Sequence, residues 1–208
     1  APHTTVYANT VNGNEFAANY EVGFWDILVW NDIRTPDNVQ SLNFDENSSL
    51  DSVFAYTNET QYPSRYQAPL HTHAFYQPEG LFSAYQRAIE ITEALDSFEY
   101  DAERNLYFRR LNLELRPVTY IYLTQILLHH NNGKITAVDG SASLSGMARS
   151  ANISTGQAGS DAVTVHYNVR LKNGCPVPVL NDNNDTVEVK TDIIGGRVMT
   201  FGIPALRP

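Results

Sequence analysis

Residues 117–146, PVTYIYLTQILLHHNNGKITAVDGSASLSG, decide the fold. Val118, Tyr120 and Tyr122 alternate with Thr119, Ile121 and Leu123, and both sets are β-branched, aromatic or aliphatic. That is the pattern of a strand covered on both faces, so a central sandwich strand is expected here. Asn131, Asn132 and Gly133 tolerate the positive φ of a tight turn, and Ile135, Ala137 and Val138 restart an extended pattern, which predicts a hairpin. The small-residue run 140–146 forms its exit. Nothing in the stretch pairs a nucleophile with a base, so it speaks for architecture and not for a reaction.

Working outward, the same periodicity recurs. In residues 21–31, EVGFWDILVWN, Phe24, Asp26, Leu28 and Trp30 alternate with Trp25, Ile27 and Val29, which predicts a core strand with both tryptophans packed inside. Residues 36–78 are polar and rich in Asn, Asp, Ser and Pro, and read as short edge strands and loops. Residues 80–95 fit a helical stripe or a strand; the second half, from Ala88 to Thr92, is read as a strand because its neighbours are β. Residues 106–115 alternate and read as half-buried. Residues 162–171 place Val163, Val165, Tyr167, Val169 and Leu171 inward and Thr164, His166, Asn168 and Arg170 outward. Asn181 to Asp185 is a polar tip before a last extended run that reaches Ile203.

The chain has 208 residues, enough for two domains of about 100 residues each. The expected division is an N-terminal β-sandwich over 1–112 and a C-terminal one over 113–208. Aromatics make up 11% of the chain and tyrosine, with 12 copies, leads them, which suits amphipathic sheets rather than helical bundles. All-β is the resulting fold class.

Fourteen Lys and Arg stand against 23 Asp and Glu, a net charge of -9, so no basic stripe exists to attract phosphate backbones and nucleic acid is not an expected partner. The single cysteine, Cys175, forms no internal disulfide or thiolate zinc cluster and is expected to be a small buried hydrophobe. No apolar run reaches the ~18 residues of a membrane-spanning helix. No charged-then-apolar signal region opens the chain, so Ala1 is expected to be the start of a trimmed or recombinant product, any export signal having been removed.

Candidate chemistry is sparse. His71 and His73 share one face of an extended segment and His129 and His130 sit together, but neither pair has a carboxylate or cysteine at metal-site spacing, so solvated histidines are expected and no metal or cofactor site. Asp182 and Asp185 look like a calcium-loop fragment without its glycine and distal glutamate, and read as a hairpin tip. Glu90 with Glu93 and Asp96 with Glu99 read as solvated acidic faces. No nucleophile elbow, phosphate-binding glycine loop or zinc-protease helix is spelled, so no catalytic residues are expected and the chain is read as a non-enzyme.

LELRPVTYIYLTQ, GSASLSGMARSANISTGQAG and DIIGGRVMTFGIP, over about residues 106–208, resemble a family of secreted Bacteroides proteins grouped with the fimbrillin-associated lipoproteins, the minor and anchor subunits of Bacteroidales fimbriae. Ala142 to Ala148, with its Leu-Ser-Gly-Met-Ala core, is the most specific piece, and EVGFWDILVWND matches the first domain more loosely. The resemblance implies two tandem transthyretin-like Greek-key β-sandwich domains, export, and display at the cell outer membrane in fimbrial assembly or adhesion. It implies membrane attachment only through a lipid anchor not present in this chain, and a family sequence that continues past TFGIP, so the C-terminal domain is expected to lack its last strands. Asp51-Ser52-Val53 and Asp185-Thr186-Val187 look like Bacteroides O-glycosylation acceptors at Ser52 and Thr186.

The function expected on these grounds is a non-enzymatic fimbrial minor or anchor subunit, or adhesin, that associates with other fimbrial subunits or surface proteins through β-strands. A strand-exchange edge is expected at Phe201, Gly202 and Ile203. The alternative is a surface carbohydrate-binding module capturing host or dietary glycans, with Tyr62, Tyr66, Phe75 and Tyr76 as stacking rings.

Overall fold

Period-two alternation and β-branched or aromatic side chains produce strands along the chain, and the turn residues between them end each one. The structure, a computed structural model, describes residues 11, 13–31, 41–45, 49–63, 72–138 and 140–206. In order the strands are β1 (Gly23–Trp30), β2 (Leu42–Phe44), β3 (Phe54–Thr57), β4 (Glu59–Pro63), β5 (His73–Phe75), β6 (Phe82–Ile91), β7 (Glu99–Asp101), β8 (Leu106–Phe108), β9 (Arg116–Pro117), β10 (Tyr120–Leu128), β11 (Ser141–Ala148), β12 (Ser150–Asn152), β13 (Ala162–Asn168), β14 (Arg170–Leu180) and β15 (Thr186–Thr200). Among the described residues helix is limited to two single 3-10 turns, Leu50–Ser52 and Leu95–Ser97. The protein is all-β.

The sheets run β1-β6-β9, β10-β15-β14, β11-β13-β5-β4 and β12-β3-β2, with β7-β8 as a separate hairpin. Contacts divide the chain into two compact units, one of residues 1–26 and 87–111 and the other of 27–86 and 112–208. The first unit holds the β7-β8 hairpin, where Tyr100 and Tyr107 pack ring to ring at 4.9 Å, and the Asp26 carboxylate, which accepts the Ala88 N–H at 2.8 Å. Among its described residues none is fully buried.

The second unit carries both cores. One gathers Leu42, Val53, Ala55, Leu81, Val118, Ala148, Ala151, Ile153 and Phe201; the other gathers Phe75, Met147, Val163, Val165, Tyr167, Val169 and Val198. β11 contributes to both through a β-bulge between Ser145 and Met147, where Gly146 takes φ 78°. The extra residue switches the inward face: Ala142 and Leu144 point to the second core before it and Met147 after it, which leaves Ala148 for the first. Arg149 follows at the corner between β11 and β12. Its guanidinium lies 5.4 Å from the Phe75 ring and 5.7 Å from the Tyr56 ring, and 3.7 Å from the Asp161 carboxylate.

Several expectations change. The turn after β10 is present, with positive φ at His130, Asn132 and Gly133, but it does not close a hairpin. β10 pairs instead with β15, from Tyr120↔Thr200 to Leu128↔Asp192, and β11 pairs with β13. Nor is β10 covered on both faces: Leu123 is 75% exposed, and Ile121 and Ile126 are more than half exposed. β1 reaches the core only through Leu28, which packs against the first cluster. Phe24 and Trp30 are exposed, Trp30 against Phe44 at 5.5 Å, while Trp25 is half-buried with its indole N–H donating to the Glu21 carbonyl. Residues 106–115 form a strand only at β8, and β6 is strand through the stretch that also fitted a helix.

Elsewhere the structure matches the sequence pattern. β13 buries Val163, Val165 and Tyr167, Cys175 is buried, and Asn181 to Asp185 is a turn between β14 and β15. Thr164, expected outward, is instead buried, and its hydroxyl is satisfied there by Ser145 Oγ at 2.9 Å.

Candidate functional site

β11 before its bulge turns Leu144 inward and Ser141, Ser143 and Ser145 outward, as period-two geometry requires. Opposite them in register stand Asn168, His166 and Thr164 of β13. At the far margin of the same sheet, β4 brings Tyr62 back over His166, and the rings stack with centroids 4.6 Å apart and an 18° interplanar angle. The result is an open groove of about 400 Å³ lined by Tyr62, Pro63, the three serines and His166. Aromatic faces beside hydroxyl donors and acceptors match what a sugar ring presents: an apolar C–H face for stacking and hydroxyls for hydrogen bonding.

Of the expected stacking residues, Tyr62 is therefore 58% exposed at this groove. Phe75 is 0% exposed, a core residue of the second cluster, because β5 pairs it with Val165 in parallel register. Tyr76 is half-buried, its N–H donating to the Asn58 carbonyl, and Tyr66 lies outside the described residues. His166 was readable only as an outward position on β13. Its partnership with Tyr62 depends on where β4 crosses the sheet, which no local pattern encodes.

The expected exchange edge is also divided. Phe201 is 1% exposed and belongs to the first core, and the Gly202 carbonyl accepts the Ala148 N–H at 2.8 Å. Ile203 is 73% exposed. Gly202 lies against the Tyr120 ring, so this segment adjoins the start of β10.

β10 is the outermost strand of β10-β15-β14, and among the described residues no strand pairs with its other edge. Its nine residues, YIYLTQILL, contain no charge, proline or glycine. The opposite edge strand, β14, carries Pro176, Pro178 and Lys172. Proline and lysine are the usual blocks to edge pairing, so β14 is protected and β10 is not.

The remaining candidates are dispersed. His73 lies 3.8 Å from Glu59 and 3.1 Å from Thr72 Oγ1, its expected partner His71 lies outside the described residues, and His129 and His130 are exposed in the turn. Among the described residues no three His, Cys, Asp or Glu side chains gather as a metal site would need. Ser52 ends an exposed 3-10 turn and Thr186 opens β15, also exposed.

No protein-family model and no curated protein matches the chain. Among solved structures, the crystal structure of a candidate adhesin from Bacteroides ovatus ATCC 8483 superposes with a TM-score of 0.52 at 13% identity over 90% of this chain. The likeness is one of fold. The chain spans about half, 52%, of the length of that structure.

Proposed function

We propose that this is a non-enzymatic, exported cell-surface protein of the adhesin kind, a fimbrial minor or anchor subunit, which joins other subunits by accepting a β-strand along β10. One observation carries the reading: a nine-residue uncharged edge strand, apolar but for Thr124 and Gln125, with no gatekeeper residues. Main-chain groups along such an edge supply affinity, and the side chains that alternate along it supply selectivity. An added strand would cover part of Ile121 and Leu123 on one face and of Ile126 on the other, each for a fraction of the ~1.5–3 kcal/mol of full burial. The fold-level likeness to a candidate adhesin supports this reading, as does the resemblance of 106–208 to fimbrillin-associated proteins. Tandem transthyretin-like sandwiches and residence at the outer membrane are parts of the same proposal.

The test uses cells that make the protein, one antibody, and immunogold labelling with blots of sheared filaments and of outer membranes. Native protein is expected on filaments. Leu123→Lys, which changes an exposed side chain, is expected to leave the protein in the membrane and remove it from filaments. Native protein absent from filaments, or the variant retained on them, ends the subunit reading.

A second reading rests on the Tyr62–His166 stack beside the serine-lined groove: a surface glycan-binding module. It predicts saturable binding to at least one member of a panel of host and dietary glycans. No binding across the panel removes it.

A further inference from the structure

The far half of the β14–β15 hairpin outruns its sheet. β10 ends at Leu128↔Asp192, whereas β14 and β15 continue pairing through Val177↔Val189 to Leu180↔Thr186, so residues 176–180 and 186–190 form a two-stranded arm. Two strands alone are marginal in water. Val177, Val179, Val187 and Val189 line one face of this arm, Val189 47% exposed. A groove of about 290 Å³ lies between the arm and the turn that ends β10.

The edges of the arm differ. Asn181 N–H donates to the Asp185 carbonyl at 3.0 Å, which sets the hydrogen-bonding phase of the hairpin. Alternating from there, 179/187 and 177/189 are the bonded pairs and Pro178/Glu188 and Pro176/Lys190 the unbonded ones. The prolines therefore face the outer edge of β14, where a missing N–H prevents further pairing. Glu188 and Lys190 turn their own N–H and C=O groups to the other edge of β15, past the end of β10, where no strand of the described residues pairs with them.

We propose that this edge pairs with the same edge of a second copy of the chain, antiparallel and centred on Val189. Antiparallel self-pairing of T-V-E-V-K has few registers, and charge selects among them. Centring on Glu188 or on Lys190 places like charges directly opposite, which disfavours both. Centring on Val189 places Glu188 against Lys190 of the second copy, and Lys190 against its Glu188. In that register the four outward main-chain groups meet in hydrogen-bonded pairs, and Val189 meets Val189 in the close, unbonded position. The 129–132 turn, where β10 stops, limits the ladder to residues 187–191. The interface is isologous, as a two-fold dimer requires, and joins the two valine faces into one.

Sedimentation velocity of the full chain from about 10 µM to 1 mM tests this. The native protein is expected to pass from monomer to dimer in that range. Glu188→Lys and Lys190→Glu are each expected to weaken association at least about tenfold, because each converts two attractive pairs into two repulsive ones. Mixing the two variants restores every pair, so the mixture is expected to form a heterodimer. Both positions are exposed, and unchanged thermal unfolding confirms that the variants fold. A native protein that stays monomeric overturns the proposal, as does association indifferent to the single changes or a mixture that fails to associate.

Discussion

The Asn131 side-chain amide donates to the Asp192 carboxylate across 2.6 Å, fastening the turn after β10 to the strand that β10 pairs with. The same amide donates to the Ile135 carbonyl at 2.9 Å, and its oxygen accepts the Ile135 N–H at 2.7 Å. Gly174 N–H, at the bulge of β14, donates to the other Asp192 oxygen at 2.9 Å. One buried amide and one carboxylate thus tie β10, β14 and β15 together at the root of the projecting arm.

Asn131→Ala removes the hydrogen bonds to the Ile135 main chain and to the carboxylate, which water partly replaces because Ile135 is exposed, and is expected to cost about 0.5–1.5 kcal/mol. Urea unfolding checks this. A change below about 0.5 kcal/mol would mean that water replaces the amide at no cost.

Asp192 also sets a pH dependence. The Asn131 hydrogen bond, and after it the Gly174 N–H, hold its carboxyl below the usual carboxylate range, with a smaller opposing push from burial. A carboxyl depressed in the folded state contributes stability that is complete above the unfolded pKa of about 3.9 and fades as pH falls through the folded value. Asp192→Asn removes that contribution. Native and variant unfolding midpoints are therefore expected to converge as pH drops from 6 to below about 3. A constant gap across the range would show that Asp192 does not titrate differently in the two states.

Arg149 fills the corner between the two cores, with its guanidinium over Phe75 and Tyr56 and beside Asp161. Arg149→Ala is expected to cost about 1–3 kcal/mol from the lost ring contacts and packing. Arg149→Lys keeps the charge but not the planar face, and is expected to recover only part of it. Equal stability of the lysine and native proteins, by urea titration, would show that the planar guanidinium face adds nothing beyond the charge and stem that both residues share.

Gly196 marks where strands press closest. A Cβ there would overlap the Asn168 carbonyl oxygen and stand 3.2 Å from the Tyr167 ring, whose hydroxyl meets Thr124 Oγ1 at 3.1 Å. Gly196→Ala is expected to destabilise by about 1–3 kcal/mol, read as a lower melting temperature. Gly140→Ala, with nothing within 4 Å of its Cβ, is the matched control and is expected to stay near native stability.

These sites show what sequence carries and what it does not. β13 was legible because one face is buried, so Val163, Val165 and Tyr167 recur at period two. β10 defeats the same reasoning because a strand apolar on both faces reads alike whether covered or bare, and here the outer residues Ile121 and Leu123 are bare. Asn131, Asn132 and Gly133 gave the turn, but the partner of β10 is β15, about 70 residues on, and such pairing depends on register and not on turn residues. The Ala142–Ala148 segment that carries the family resemblance proves to be a bulged strand serving two cores, which explains a glycine among small residues. At the groove, Tyr62 was visible as a loop aromatic, whereas Phe75 was indistinguishable from it until β5 fixed which way each ring points.

Tyr62 separates the two proposed roles. Its ring covers His166 on the outer face of the sheet, away from β10, and is exposed enough that removing it costs little packing. Tyr62→Ala is expected to change stability by less than about 1 kcal/mol, since it opens no buried cavity. If the groove takes sugars by stacking, the same change is expected to weaken glycan binding by about tenfold or more, a loss of ~1.4 kcal/mol, and Tyr62→Phe to restore most of it. Titration calorimetry with a glycan that binds the native chain reads both. Leu123→Lys, on β10, is expected to leave that binding unchanged while it removes the protein from filaments. A glycan signal indifferent to Tyr62 would place sugar recognition elsewhere, and a signal lost with Leu123→Lys would make the β10 edge, and not the groove, the surface that meets carbohydrate.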